Sequence, residues 1–152
     1  MGRWLGIDHG TKRIGIAVGS TADGVATPLA VVAARPWEAL VARLRERIEQ
    51  YGAEGVVVGW PLNMDDTEGP QGRLAREAAL RLAGELATDI RLWDERLSSF
   101  AADQALAGLF TRKQKKARQD AVAAAEMLRG FLAADGPRCA LRPEDAEPSE
   151  GP

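Results

Sequence analysis

Apolar and polar positions change period several times along this chain, and each change marks an element. Residues 4–7 and 14–18 are short apolar runs around a turn-rich His9-Gly10-Thr11-Lys12-Arg13 segment, which reads as a β-hairpin. In the second run Ile14, Ile16 and Val18 alternate with Gly15, Ala17 and Gly19. One face is therefore bulky, and the other is small enough for something to approach closely. After a turn at residues 20–24, residues 26–33 predict a third strand with Pro28 near its start, completing an antiparallel meander. Pro36 opens a helix on which Trp37, Leu40, Val41, Leu44, Ile48 and Tyr51 recur at helical spacing. Gly55-Val56-Val57-Val58-Gly59 shows no alternation, which suits a strand buried on both faces in a parallel sheet. A long polar loop, residues 60–71, precedes a helix carrying Leu74, Ala78, Leu82 and Leu86 at spacing four. Residues 89–95 predict a strand ending in two carboxylates. Ser98 or Ser99 caps a further helix to about residue 109, and a last helix runs over about residues 119–134. The sum is an α/β domain: a five-stranded mixed sheet, three strands antiparallel and then two parallel, flanked by helices.

Composition changes this picture in few places. At 152 residues, 45% apolar and 28% charged, the chain suits one soluble domain with a normal core. It has no run of eighteen apolar residues and no signal-peptide pattern, so the expectation is a cytoplasmic protein without a membrane partner. Cys139 is the single cysteine and His9 the single histidine, which excludes an internal disulfide and a cysteine-cluster zinc site. Any metal must be held by oxygen, which favours Mg2+ or Mn2+.

The net charge of −2 is misleading. Residues 135–152 hold five acidic groups and two arginines, so the remainder carries one net positive charge. That stretch is rich in proline and poor in large apolar groups, and it reads as a disordered tail on a domain of residues 1–134. Positive charge clusters at Arg112, Lys113, Lys115, Lys116 and Arg118; taken alone, such a run is more often a solvated face than a binding site.

Three carboxylate positions converge in this arrangement. Asp8 ends the first strand and Asp94-Glu95 the fifth, and in open α/β sheets the working crevice lies outside the carboxyl ends of parallel strands. Asp120 continues the apolar series Ala124, Met127, Leu128 and Phe131, so it faces the sheet. Each has an ordinary explanation: a turn aspartate at Asp8, pairing of Asp94-Glu95 with Arg91 or Arg96, a helix-end carboxylate at Asp120. Together they would repel one another without a cation. Divalent metal removes that repulsion, and two metals bridged by carboxylates, a two-metal-ion nuclease, are the usual machinery of phosphodiester hydrolysis.

Four segments in order, LGIDHGTKRIGIAVGS, VVVGWPLNMDDTEGPQ, WDERLSS and KKARQDAVAAAEML, resemble the motifs of the YqgF/RuvX family over residues 5–132. The resemblance implies an RNase H-like fold, kinship to Holliday-junction resolvases, and a metal-dependent nuclease acting in 5′-end maturation of pre-16S ribosomal RNA. It implies Asp8, Glu95 and Asp120 as the catalytic, metal-binding acids, with Asp94 beside them. Strand parity cannot choose between Asp94 and Glu95, which point to opposite faces; only the resemblance favours Glu95. One departure is Asp66, where the family usually has glycine.

Other residues have substrate-binding readings. Lys12 and Arg13 would meet a phosphate near Asp8, Asn63 a base or sugar, and Arg96 the scissile phosphate. Lys113, Lys115 and Lys116 would hold backbone phosphates just ahead of Asp120. The plain alternatives are solvated turn residues, an Asx-turn at Asn63 and neutralisation of Asp94 by Arg96. Trp60, on the loop, is the stacking candidate among four tryptophans. The expected partner is RNA within a pre-ribosomal particle, with branched DNA as the alternative and either a monomer or a homodimer as the acting form. Asp8-x-Gly10-Thr11-Lys12 also resembles the first phosphate motif of actin-like ATPases and sugar kinases, but those need a cleft between two such domains. A nucleic-acid-binding module without catalysis is a further reading, disfavoured by the complete acidic set.

Overall fold

The computed structural model describes residues 2–97, 112–147 and 149–150; residues 97, 112–119 and 149–150 are described by their backbone alone. Strands β1 (Arg3–His9), β2 (Arg13–Ser20) and β3 (Ala26–Ala33) form the expected meander, with Asp8 opposite Gly15 across β1 and β2. The first turn closes through Gly10 N–H to the Arg13 carbonyl at 2.9 Å. Pro28 is tolerated because β3 lies at the sheet edge, where a missing N–H costs no ladder bond. Helix α1 (Trp37–Tyr51) buries Leu40, Val41 and Leu44 and stops at Gly52, whose left-handed φ of 62° suits glycine.

Strand β4 (Ala53–Trp60) then pairs parallel to β1, and β6 (Asp89–Asp94) pairs parallel to β4. The sheet order is β3-β2-β1-β4-β6, the mixed five-stranded arrangement expected. With β4 inside the sheet, Val56, Val57 and Val58 are wholly buried on both faces. Inside the polar loop a two-residue strand, β5 (Thr67–Glu68), precedes helix α2 (Pro70–Glu85). The buried stripe of α2 is Ala75, Ala78, Ala79 and Leu82, with Leu74 turned to its margin.

Two cores result. Leu5, Ile7, Ile16, Val56, Val58 and Ile90 meet α1 and α2 on one face. Trp4, Ala17 and Val57 meet Ala124, Leu128 and Phe131 of the long helix α3 (Arg112–Ala133) on the other. The small residues of β1 and β2 are what admit α3. A Cβ on Gly6 would lie 2.8 Å from the Leu128 Cβ, and one on Gly15 would strike the Asp120 carbonyl. The close approach anticipated at Gly15, Ala17 and Gly19 is made by a helix.

The structure departs from the sequence reading in three places. Helix α3 begins at Arg112, ahead of the expected residue 119, because lysine, arginine, glutamine and alanine are good helix formers without an apolar stripe. Strand β6 ends at Asp94, and Glu95 opens a single 3-10 turn, Glu95–Leu97. The segment read as a disordered tail has ordered elements, a helical turn Gly136–Cys139, a 3-10 turn Pro143–Asp145, and a strand β7 (Ser149–Glu150) parallel to β5. Leu92 N–H donates to the Leu141 carbonyl at 2.8 Å and Arg91 Nη1 to the Ala140 carbonyl at 2.7 Å. An edge strand left open exposes unpaired backbone groups. A few contacts from Ala140, Leu141 and Pro143 suffice to cover β6, which bulk composition could not reveal. The helix expected over about residues 98–109 lies outside the described residues.

Candidate functional site

The parallel strands β1, β4 and β6 end at one rim of the sheet, and pairing register decides which side chains share a face there. Asp8 is the cross-strand partner of Gly15, Gly59 pairs with Trp93, and Trp60 pairs with Asp94. Asp8 and Gly59 therefore face α3, whereas Asp94 faces α1 and α2. Glu95, one residue on and released from the strand, lies on the α3 side. Its side chain lies over Gly59, so that a Cβ there would run into Glu95 Oε1, and it reaches the Asp8 carboxyl in a hydrogen bond. Of the two adjacent acids, Glu95 is the one that meets Asp8.

The electrostatics of the pair follow from this geometry. Burial raises the Glu95 carboxyl to about 9, helped by the Asp8 charge, the Asp8 hydrogen bond and the Asp94 charge. Burial and the neighbouring Asp8 charge thus favour the neutral form of Glu95. Asp94 is compensated instead. The Arg96 guanidinium grips it through Nε at 3.0 Å and Nη2 at 2.7 Å, and the Arg96 backbone N–H adds a bond at 2.9 Å. Arg96 also donates to the Asn63 carbonyl at 2.8 Å and pairs with Asp66 at 2.8 Å. It thus ties the loop between β4 and α2 to the end of β6. Asp66 has a left-handed φ of 70°, the conformation glycine would adopt without strain.

Asp120 projects from α3 where its backbone carbonyl packs on Gly15, directly across from Asp8. It is half-buried and pairs with Arg13 Nε at 3.2 Å. Among the described residues no group of three histidine, cysteine or acidic side chains is drawn together tightly enough to chelate a metal unaided. The Asp8–Glu95 pair nevertheless fits a hard cation. It supplies carboxylate oxygens only, and a shared proton now offsets the repulsion that a cation would relieve. Asp120 would complete the set by turning from Arg13.

Other expected site residues are placed as follows. Lys12 is exposed on the turn between β1 and β2. Asn63 Nδ2 donates to Thr67 Oγ1 at 2.8 Å, stapling its own loop. Trp60 is buried with Nε1 donating to Glu68 at 2.9 Å, so it offers no stacking surface. Lys113, Lys115 and Lys116 lie on the first turns of α3, and their side chains are outside the described residues. His9 points away from Asp8 by strand parity, and burial lowers its pKa. Sequence reasoning missed the Gly59 cradle, although a glycine ending a valine run next to a turn was the available signal. It also missed the Asp66–Arg96 tie.

This sheet order, with a long helix laid over β1 and β2 and acids at the carboxyl rim, defines an RNase H-like domain of the RuvC type. Thermus thermophilus RuvC, solved with a Holliday junction substrate, superposes with a TM-score of 0.57 over 93% of this chain and all of that one, at 20% identity. Fowlpox virus Holliday junction resolvase gives a TM-score of 0.51 at 13% identity. In sequence, the family model described as "RuvX: Holliday junction resolvase" matches residues 2–134. A relative from Geobacillus kaustophilus named "Putative pre-16S rRNA nuclease" is 42% identical over 135 residues, covering 86% of this chain and 96% of its own. One of the same name from Anaeromyxobacter dehalogenans is 44% identical over 132 residues, with the same coverage. The chain belongs to the RuvX family.

Proposed function

We propose that this protein is a nuclease that hydrolyses phosphodiester bonds of precursor 16S ribosomal RNA in the cytoplasm, using Mg2+ or Mn2+ held by Asp8, Glu95 and Asp120. The observation that carries the reading is the Asp8–Glu95 carboxyl pair, hydrogen-bonded over Gly59 at the carboxyl rim of a RuvX-family sheet. Bound divalent metal supplies activation of a water and stabilisation of the leaving oxygen in an in-line displacement. The chain's own part is to fix the oxygen donors on rigid elements. Asp8 is set by the β1 ladder, Glu95 by its seat on Gly59, and Asp120 by the packing of α3 on Gly15. Glu95 gives up its proton when the pair takes a cation, because the low-dielectric rim cannot keep two carboxylates ionised alone. Arg13, released when Asp120 turns inward, is then available to hold the substrate phosphate. Arg96 acts at one remove, fixing the loop through Asp94, Asp66 and Asn63.

The family description favours a second reading, resolution of branched DNA, which requires two sites related by a two-fold axis. The test is cleavage of a precursor 16S RNA fragment and of a four-way DNA junction, with magnesium, with manganese and with a chelator. The expected result is metal-dependent cutting of the RNA. Cleavage undiminished in chelator defeats the metal reading, and cutting confined to the junction transfers the activity to DNA.

A further inference from the structure

A second recess opens on the same rim, on the opposite face of the sheet from Asp8. Its volume is about 320 Å³, and it lies between the β1–β2 turn, the start of α1 and the first half of α2. Trp37, Leu74 and Ala78 give it apolar walls, and His9, Thr11 and Arg35 give it a polar edge. Trp37 is held in place by Glu85 and by Arg81, and Arg81 itself also lines the recess. The Trp37 Nε1 donates to Glu85 at 2.6 Å, and the Arg81 guanidinium stacks 4.5 Å from the indole ring centre. Another, open recess of about 360 Å³, lined by Thr11, Lys12, Ala33 and Arg35, continues from it around the turn. Lys12 and Arg35 are exposed, and neither is ion-paired among the described residues. Glu77 is the one carboxylate in the lining.

These features match one kind of occupant. The volume is at the lower end of ordinary ligand sites, of roughly 300 Å³ or more. A flat apolar wall ending in an indole suits a base, since every base has a π-face to stack. Two uncommitted cations at the rim suit a phosphate. The position links the recess to the acid pair: His9 follows Asp8 in the chain, one Cα step of about 3.8 Å away. A strand with a phosphate at Asp8 and Glu95 that crosses the rim at the β1–β2 turn arrives at this recess with its next units.

We propose that this cavity is a subsite for one nucleotide of a single-stranded RNA substrate. The base lies against Trp37, Leu74 and Ala78, and the phosphate lies between Lys12 and Arg35. The inference deepens the nuclease reading and rests on it for the course of the strand, but its test is a binding measurement that does not require cleavage. It also gives the β1–β2 turn two duties, with Asp8 serving the reacting phosphate on one face and His9 bordering the neighbouring nucleotide on the other.

The full-length protein is titrated, in chelator, into a fluorescein-labelled single-stranded RNA and into copies with an abasic residue at each successive position. Fluorescence anisotropy gives the affinities. One position is expected to be sensitive, its abasic copy binding about tenfold more weakly. Leu74→Trp, which fills the recess from α2, should weaken the intact RNA by a similar factor and erase that sensitivity. Arg35→Ala, at an exposed residue whose loss leaves folding intact, should lower the slope of log affinity on log salt by about 0.7 for a single strand. In cleavage assays both variants should raise KM and leave kcat unchanged. A uniform abasic profile, or wild-type binding by both variants, overturns the subsite while leaving the nuclease reading in place. A sensitive position in a protein that cuts nothing overturns the nuclease reading and keeps the subsite. No binding of RNA at all overturns both.

Discussion

Two adjacent acids at the end of β6 have opposite fates. Asp94, on the α1 and α2 side, is gripped by Arg96 through Nε, Nη2 and a backbone N–H. Glu95, on the α3 side, meets another carboxyl, and burial with the Asp8 charge holds its pKa at about 9. A compensated acid is finished: its charge is used up in fixing the loop between β4 and α2. The half-buried acid pair on the other face remains unbalanced, and such a pair is where a cation from outside would bring the most. Sequence adjacency says nothing of this difference, which one step of strand parity creates.

The largest expected effect lies on the unbalanced side. Asp8→Asn should lower metal-dependent RNA cleavage by about a thousandfold or more, because an amide cannot replace the charge that holds the cation. Glu95→Gln should do the same, with both variants folded by circular dichroism. If either kept wild-type kcat, the acid pair would lose its assigned role.

Next in size is stability against pH in the metal-free protein. Between the ordinary glutamate value of 4.5 and about 9, the unfolded chain has lost the Glu95 proton while the folded chain keeps it. Folding stability is therefore greatest below that window and falls as pH rises through it. Glu95→Gln removes this slope and should stabilise the metal-free protein much more at pH 8 than at pH 5, since each tenfold change in proton affinity is worth about 1.4 kcal/mol. Urea melts at pH 5 and pH 8 read it. An equal stability difference between wild type and variant at both pH values would contradict the shared proton.

On the balanced side the effects should be structural and smaller. Asp94→Asn leaves Arg96 with a weaker partner and should lower the melting temperature modestly, with cleavage reduced only a few-fold. Loss of activity as severe as in Asp8→Asn would erase the distinction between the two faces. The smallest effect belongs to Asp66→Gly. It removes a mostly exposed ion pair and relieves a left-handed residue, two small effects of opposite sign. Its melting temperature should stay close to that of the wild type.

Much of the frame was legible because it depends on periodicity. The alternation in β2, the unbroken valines of β4 and the α3 stripe through Ala124, Leu128 and Phe131 each define a face, and faces dictate layers. Asp120 could be placed toward the sheet by the same reasoning. The seat of Glu95 on Gly59 could not be read, since it depends on β6 ending at Asp94 and on a glycine in a neighbouring strand. The fastening of residues 140–143 to β6 was hidden for a similar reason. Backbone hydrogen bonds carry no residue signature, and the segment's composition spoke only of charge and proline.

The central claim is that Asp8 and Glu95, and not Asp94, form the cation site. It is tested most directly by titrating Mn2+ into the purified protein at neutral pH and counting free ion by electron paramagnetic resonance. Wild type and Asp94→Asn should bind alike, and Asp8→Asn and Glu95→Gln should lose that binding. Binding retained by Asp8→Asn, or lost from Asp94→Asn alone, would contradict it.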